Sequence, residues 1–362
     1  VRCLPRGASF FRASGGHGLR ILYRLGMKSL RLASGSLVWF AVVVACSGAG
    51  VEDGTGGGAS TTGPGSTTST GLTGSGGSTG TFGTGGGTGC DMACSPDLHQ
   101  VIDCNGNVVQ QCSGDQGCDP ATLTCANACA NAAANKQSVG CEYYSVDMAQ
   151  NNATACFAAY VANTWNTPVK IQVELGGMML DPASFARIPQ GAGPGLTYQP
   201  YDSVNGLPPG EVAILFLTGE ASSSVPCPVT PARPSSVAVA STGIGQAFRV
   251  TTDVPVVMYQ MNPYGGGNAA VTGASLLLPT SAWDTNYVAV NVSPLDIGYG
   301  PSMNIIASED NTTVTMLPNA AVVGGGGIPA GAANAALVFN LNRGQHAQIT
   351  QNAELTGSAV QS

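Results

Sequence analysis

Charge is scarce in this chain. Asp, Glu, Lys and Arg together make up 9% of its 362 residues, against about a quarter in an ordinary soluble domain. Cations are scarcer still past residue 46. Seven of the 13 Lys and Arg precede Cys46 and no Asp or Glu does, so the six that remain face 20 carboxylates. A surface so short of positive charge cannot neutralise a row of phosphates, which excludes nucleic acid as a partner. Histidine is nearly missing as well: beyond Cys46 only His99 and His346 occur. With no Gly-x-Ser-x-Gly elbow either, a Ser-His-acid or Cys-His arrangement has little to be built from. No apolar run reaches the roughly 20 residues that a membrane-crossing helix needs, and no long stretch repeats apolar residues at helical spacing. The reading is of a protein that is not an enzyme, is not helical, and requires no cofactor or metal.

The amino end reads as an address. Residues 28–31 are basic, residues 32–45 are apolar, and the run closes on Val43-Val44-Ala45-Cys46, the layout of a secretory signal. It resembles the lipobox of bacterial lipoproteins. That resemblance implies that residues 1–46 hold an upstream extension and a signal peptide starting at Met27, with diacylglycerol on the Cys46 thiol. Ser47 resembles the pattern for release to the outer membrane of Gram-negative bacteria. The membrane is then a partner through the lipid anchor. The expected location is the cell envelope, as an outer-membrane lipoprotein exposed to the periplasm or the cell surface.

Residues 47–89 are almost wholly Gly, Ser and Thr. Such a stretch buries too little apolar surface to offset chain entropy, so it is expected to be a disordered linker spanning roughly 35 Å. After it come Cys90, Cys94, Cys104, Cys112, Cys118, Cys125, Cys129, Cys141, Cys156 and Cys227. Seven of these fall within residues 90–129, a density that signals a disulfide module in an exported chain. Zinc is the rival reading for the Cys-x3-Cys pairs Cys90/Cys94 and Cys125/Cys129, but paired His ligands are missing. Pairings within residues 90–129 are favoured. Because seven is odd, at least one of those cysteines should reach Cys141, Cys156 or Cys227. Asn105-Gly106, flanked by short apolar runs, predicts a hairpin, since both residues tolerate positive φ.

From residue 130 onward short apolar stretches alternate with turn residues. Strands are predicted at residues 169–175, 212–217, 237–240, 256–261, 275–278, 287–292, 313–317 and 336–341. In the first, Val169, Ile171, Val173 and Leu175 should face a core and Lys170, Gln172 and Glu174 water. This predicts an all-β fold, a β-sandwich or barrel-like domain over residues 130–362. Residues 161–171 align with residues 306–316 at an offset of 145, which indicates an internal duplication of a β unit.

Four blocks carry a further resemblance: Gly-Cys-Glu-Tyr-Tyr-Ser-Val-Asp-Met at residues 140–148, Asp-Val-Pro-Val-Val-Met-Tyr-Gln at 253–260, Ala-Ser-Leu-Leu-Leu-Pro at 274–279 and Ala-Ser-Glu-Asp-Asn-Thr-Thr-Val at 307–314. Together they resemble the IgGFc-binding protein N-terminal domain as found in bacterial lipoproteins, over about residues 140–362. The animal relatives are secreted proteins named for binding antibody Fc, an activity that the resemblance does not carry over to a bacterium. It also implies that a further Asp-x-Pro-Val strand should follow Ser362, so the second half of the duplication is expected to leave a strand edge unpaired.

The function that fits is a surface-anchored lipoprotein displaying a β domain for adhesion or for binding extracellular protein or glycan. The alternative is a structural envelope or matrix component without a specific ligand; a secreted hydrolase is a distant third. Tyr264, beside Gly265-Gly266-Gly267, and Trp165 are candidate ligand contacts. His346 is expected on the exposed side of a strand. Asp296 and the Glu309-Asp310 pair are expected in solvated turns.

Overall fold

The computed structural model describes residues 91–136, 138–149, 154–265, 272–291 and 300–362. Met27, Cys46, the linker, Cys90, Gly266, Gly267 and Asp296 lie outside the described residues.

The cysteine-rich segment forms β1 (Ala93–Cys94), β2 (Gln100–Ile102), β3 (Val108–Gln111), β4 (Gln116–Asp119), β5 (Thr124–Asn127) and helix α1 (Ala128–Asn135). Strands β2 and β3 make the hairpin expected at Asn105-Gly106; Gly106 takes φ +81° and Asp103 Oδ1 accepts the backbone N–H of Asn105 and Asn107. So few strand residues bury little, and cross-links hold them instead. Cys94 joins Cys118, Cys112 joins Cys125, and Cys129 joins Cys141. Cys104 is disulfide-bonded too. The bond from Cys129 to Cys141 leaves the segment and ties α1 to the next strand, and the sulfurs of Cys94, Cys125 and Cys129 are not free to ligate zinc.

Next come β6 (Gly140–Ser145), β7 (Phe157–Ala162), β8 (Ile171–Leu175), β9 (Met178–Leu180), helix α2 (Pro182–Phe185), β10 (Ala186–Gln190), β11 (Thr197–Pro200), β12 (Val212–Thr218), β13 (Gly243–Gln246), β14 (Phe248–Asn262) and β15 (Gly273–Leu277). All but β13 join one nine-stranded sheet. The sheet curls because β14 has two sets of neighbours: residues 248–252 pair with β8 and residues 248–251, with Val256 beyond a bulge, pair with β6, while residues 257–262 pair with β7 and β15. Phe157, Val161, Val173, Leu215, Phe248 and Met258 fill the space enclosed. The alternation expected of residues 169–175 is observed, except that Glu174 is half-buried where it meets Arg249.

The cysteine-rich segment seats on this core, to which Leu98 and Ala128 belong. Trp165 is the wedge. It is 4% exposed, its Nε1 donates to the Gly114 carbonyl at 3.1 Å, and its ring packs against His99 at a tilt of 42° with centroids 4.0 Å apart.

The remaining strands are β16 (Asn286–Val288), β17 (Ser302–Ile306), β18 (Thr312–Leu317), β19 (Leu337–Leu341), β20 (Gln345–Thr350) and β21 (Ala359–Gln361). A three-stranded sheet β13-β20-β17 and a four-stranded sheet β16-β21-β18-β19 enclose a second core that includes Met303, Met316, Phe339 and Ile349.

The pairing reproduces the duplication. The pair β7–β12 is matched by β17–β20, β8–β9 by β18–β19, β8–β14 by β18–β21, and β6–β14 by β16–β21. The offset of 145 holds for β8 and β18, where Ile171 and Met316 both point inward. It is one residue out for the strands before them. Phe157, Ala159 and Val161 face the first core, whereas Met303, Ile305 and Ala307 face the second. A slip of one exchanges the faces of a strand, so the first turn carries one extra residue.

Two expectations fail. Residues 237–240 form no strand; side chains take over their backbone groups, with Asp147 Oδ2 accepting the Val237 N–H at 3.1 Å and Gln348 Nε2 donating to the Val239 and Ser241 carbonyls at 2.6 and 2.8 Å. His346 is fully buried, not exposed, because it stands opposite the side-chain-free Gly245 of the paired strand β13, and the segment around Val239 packs over the same spot. A Cβ on Gly245 would come within 2.6 Å of His346 Cε1.

Two outcomes are expected. The Cys156–Cys227 bond spans a sequence separation of 71, so replacing both cysteines with Ala should cost about 4 kcal/mol of stability, read as a lower urea midpoint. Burial lowers the His346 pKa from 6.5 to about 4, so the unfolded chain takes up a proton that the folded one refuses. Stability from this group is therefore lost as pH falls from about 6.5 to about 4, by on the order of 3 kcal/mol. Buried Asp147 has the opposite sign: burial raises its pKa, so its contribution weakens as pH rises above the ordinary carboxylate value. Comparison of the native protein with His346→Gln by denaturant titration isolates the histidine, and the native protein should lose stability relative to the variant across that window.

Candidate functional site

Side chains on a strand alternate between faces, so filling the first core also defines what the other face of its sheet presents. On β7, Phe157, Ala159 and Val161 point inward and leave Ala158 and Tyr160 outside. On β12, Ala213, Leu215 and Leu217 point inward and leave Ile214 and Phe216. On β14, Val256 and Met258 are inward, and Tyr259 and Met261 are out.

Register then aligns the outer residues. Ile214 stands opposite Tyr160, Tyr160 opposite Tyr259, and Tyr259 opposite Leu276. The neighbouring row runs Phe216, Ala158, Met261, Ala274. Eight residues on four adjacent strands thus form one apolar, uncharged face.

One end of the face is covered. The Tyr264 ring meets Phe216 edge-on at 5.0 Å and lies 6.2 Å from Tyr160, and the Tyr198 and Tyr264 hydroxyls share a hydrogen bond of 2.8 Å. The Cys156–Cys227 bond lies in this cluster. The other end is open: Tyr259, Leu276 and Leu278 are 42%, 47% and 48% exposed. Burial raises the Tyr160 pKa to about 12 and raises that of Tyr264 further, where the hydrogen bond to Tyr198 adds to the effect. These phenols stay neutral. They offer O–H groups and ring surface, and no base.

The residues singled out in the sequence are placed elsewhere. Trp165 is the internal wedge, and Tyr264 is a 9% exposed lid on the covered end. Asp97 accepts from the Ser95 hydroxyl at 2.5 Å and lies 3.1 Å from His99 Nδ1; because the acid sits between serine and histidine, no hydroxyl is activated. Neither ring nitrogen of His346 has a hydrogen-bond partner. Asp310 accepts the Arg343 N–H and the Glu309 carbonyl accepts the Thr312 hydroxyl, both in a turn. The described residues hold no group of three or more His, Cys, Asp or Glu able to bind a metal. The sequence pattern placed Tyr259, Leu276 and Leu278 in predicted strands and singled out none of them as a contact. The available signal was in residues 256–261, where apolar side chains occupy both alternating positions and mark a strand that is greasy on both faces.

No curated protein and no solved structure matches the chain. A family model described as IgGFc binding protein matches residues 273–362, from β15 through β21. Of the four resembling blocks, those at residues 274–279 and 307–314 fall inside the match and those at 140–148 and 253–260 fall outside it. Over the last quarter of its length, which includes Leu276 and Leu278 at the open end of the face, this chain is similar to the IgGFc binding protein family.

Proposed function

We propose that this chain is a non-catalytic protein-binding module held outside the cytoplasm, and that the open end of the β12–β7–β14–β15 face meets the partner. The observation that carries the reading is the exposed trio Tyr259, Leu276 and Leu278 on a rigid, cross-linked sheet. Contiguous exposed apolar surface marks interaction sites, and tyrosine combines ring area with a hydroxyl that tolerates partial wetting. The family match supports a protein over a glycan as partner, since its name refers to a protein ligand and its span includes both leucines. Disulfides fit an oxidising compartment. In this reading Cys46 carries the lipid, residues 47–89 are the tether, and the module serves adhesion at the cell surface.

The double variant Tyr259→Ser, Leu276→Ser should lose at least tenfold in affinity, as expected when interface anchors are removed. Its stability should fall by only about 1 kcal/mol, the scale of one exposed cross-strand pair. The measurement is surface plasmon resonance against immobilised extracellular glycoproteins, with immunoglobulin Fc as one arm. Self-association that the double variant abolishes, without retention of any glycoprotein, would instead favour an envelope-matrix component. Intact mass spectrometry of the cell-derived protein tests the anchor separately. It should report a mature N-terminus at Cys46 bearing diacylglycerol, and a soluble unacylated species would sink that part of the reading.

A further inference from the structure

We infer that the outer edge of β15 is a self-association site, where a second copy of this chain lays its own β15 antiparallel to form one continuous sheet. Backbone parity shows which groups are on offer. The Asn163 N–H donates to the Glu211 carbonyl, so odd-numbered residues of β7 turn their backbone groups toward β12, and residues 158, 160 and 162 turn theirs toward β14. The Tyr264 N–H, which donates to the Cys156 carbonyl, keeps the same parity. Residues 257, 259 and 261 of β14 therefore bond β7, and residues 258, 260 and 262 bond Leu277, Ser275 and Gly273. The N–H and C=O groups of Ala274 and Leu276 are left aimed away from β14. Gly273, Ala274, Ser275 and Leu276 are exposed, and among the described residues no strand other than β14 pairs with β15.

Charge and symmetry select the occupant. Past Cys46 the chain carries 20 carboxylates against six cations, so two copies repel at most approaches. Residues 254–283 hold no Asp, Glu, Lys or Arg, and β15 lies within that run. The edge is also self-complementary, as a twofold contact requires. In an antiparallel pair centred on Ser275, Leu276 of each copy stands opposite Ala274 of the other. Those are the two residues with unspent backbone groups, and Ser275 falls against its own copy at the position that exchanges no hydrogen bond. The side chains continue the pattern. Ile214, Tyr160, Tyr259 and Leu276 form one row, and Phe216, Ala158, Met261 and Ala274 form the next. Pairing joins the Leu276 end of one row to the Ala274 end of the other copy's row, so the apolar face runs unbroken across both molecules. Gly273-Ala274-Ser275-Leu276-Leu277 also lacks the Lys, Pro or bulge with which proteins usually blunt an edge. Pairing requires the edge alone, whether or not the outer face meets a partner.

A strand of five residues is short against the roughly 800 Å² per partner of a standard interface, so a covalent trap is the suitable readout. The full chain carrying Ser275→Cys, mildly oxidised, should yield a dimer linked between the two introduced cysteines. Pairs that exchange no hydrogen bond bring their Cα atoms to about 4.5 Å, within reach of a disulfide. Leu276→Cys should yield roughly tenfold less, since its copies lie diagonal at about 7–8 Å, past that reach. Adding Ala274→Pro to Ser275→Cys removes an N–H that faces the partner and not β14, which an edge strand tolerates, and should abolish the dimer. Ala274→Glu keeps every backbone group, sets like charges on the two edges, and should abolish it too. Tyr259→Ser alters the face and spares the edge, so it should leave the yield unchanged and tell failure of the face from failure of the edge. No dimer from Ser275→Cys, equal yields from Ser275→Cys and Leu276→Cys, a yield indifferent to both Ala274 variants, or capture of a different protein from cells in place of the copy would overturn the inference.

Discussion

The register of β14 is the constraint on which the rest of the domain depends. Its 15 residues bond four other strands, and it changes neighbours at Asp253-Val254-Pro255, between the two paired stretches. Proline has no N–H to give to a ladder, so it is tolerated at such an interruption. Asp253 holds the corner by accepting the Lys170 N–H at 2.8 Å. The same register that turns Val256 and Met258 inward turns Tyr259 and Met261 outward. A shift of one residue would bury Tyr259 and expose Met258, so the fold and the proposed binding face stand or fall together.

A chain this poor in charge fixes its irregular segments with neutral amides. Asn163 Nδ2 donates to the Thr167 and Leu207 carbonyls, Gln348 Nε2 to those of Val239 and Ser241, and Gln351 Nε2 to those of Ala321 and Ala353. An amide donates and accepts without the desolvation cost of an ion, and so can be buried beside apolar strands. Carboxylates do the same at a few places, Asp147 and Asp253 among them, and Arg249 adds an ionic link between strands. It bridges Glu142 and Glu174 on the two flanking strands at 2.6 and 3.3 Å, on the water-facing side of its part of the sheet. Low charge and abundant Asn and Gln are thus one feature of the fold.

Alternating or doubly apolar runs were legible in the sequence, which is why the strands at residues 171–175, 212–218 and 312–317 and the Asn105-Gly106 hairpin are where the pattern places them. Strands β6, β10 and β20 were not legible, because their inward residues include Tyr143, Ala186 and Ala347, which carry no alternation without knowledge of the partner strand. Residues 237–240 look like a strand, yet polar side chains from residues 147 and 348 satisfy their backbone, a long-range effect that no local window contains. The duplication was visible but one residue out of phase on its first strand. The binding face was hidden for a related reason: Tyr160, Tyr259 and Leu276 are far apart in sequence, and only register makes them neighbours.

The buried histidine shows how the two halves of the duplication came to be inseparable. β13 precedes β14 in the chain, yet it pairs with β20 of the second half. That crossing occupies one edge of β20 and brings the preceding segment around residues 239–241 against the face that its own core does not use, which leaves His346 and Gln348 fully enclosed. Gln348 finds three backbone partners, at Ala149, Val239 and Ser241, whereas His346 finds none and is accommodated by shape, against a glycine at residue 245 where any side chain would collide. Pulling the halves apart would expose β20 on one face and strip β13 of the strand it pairs with. Residues 140–362 should therefore behave as one cooperative body, with the duplication a record of origin and no longer a division of structure.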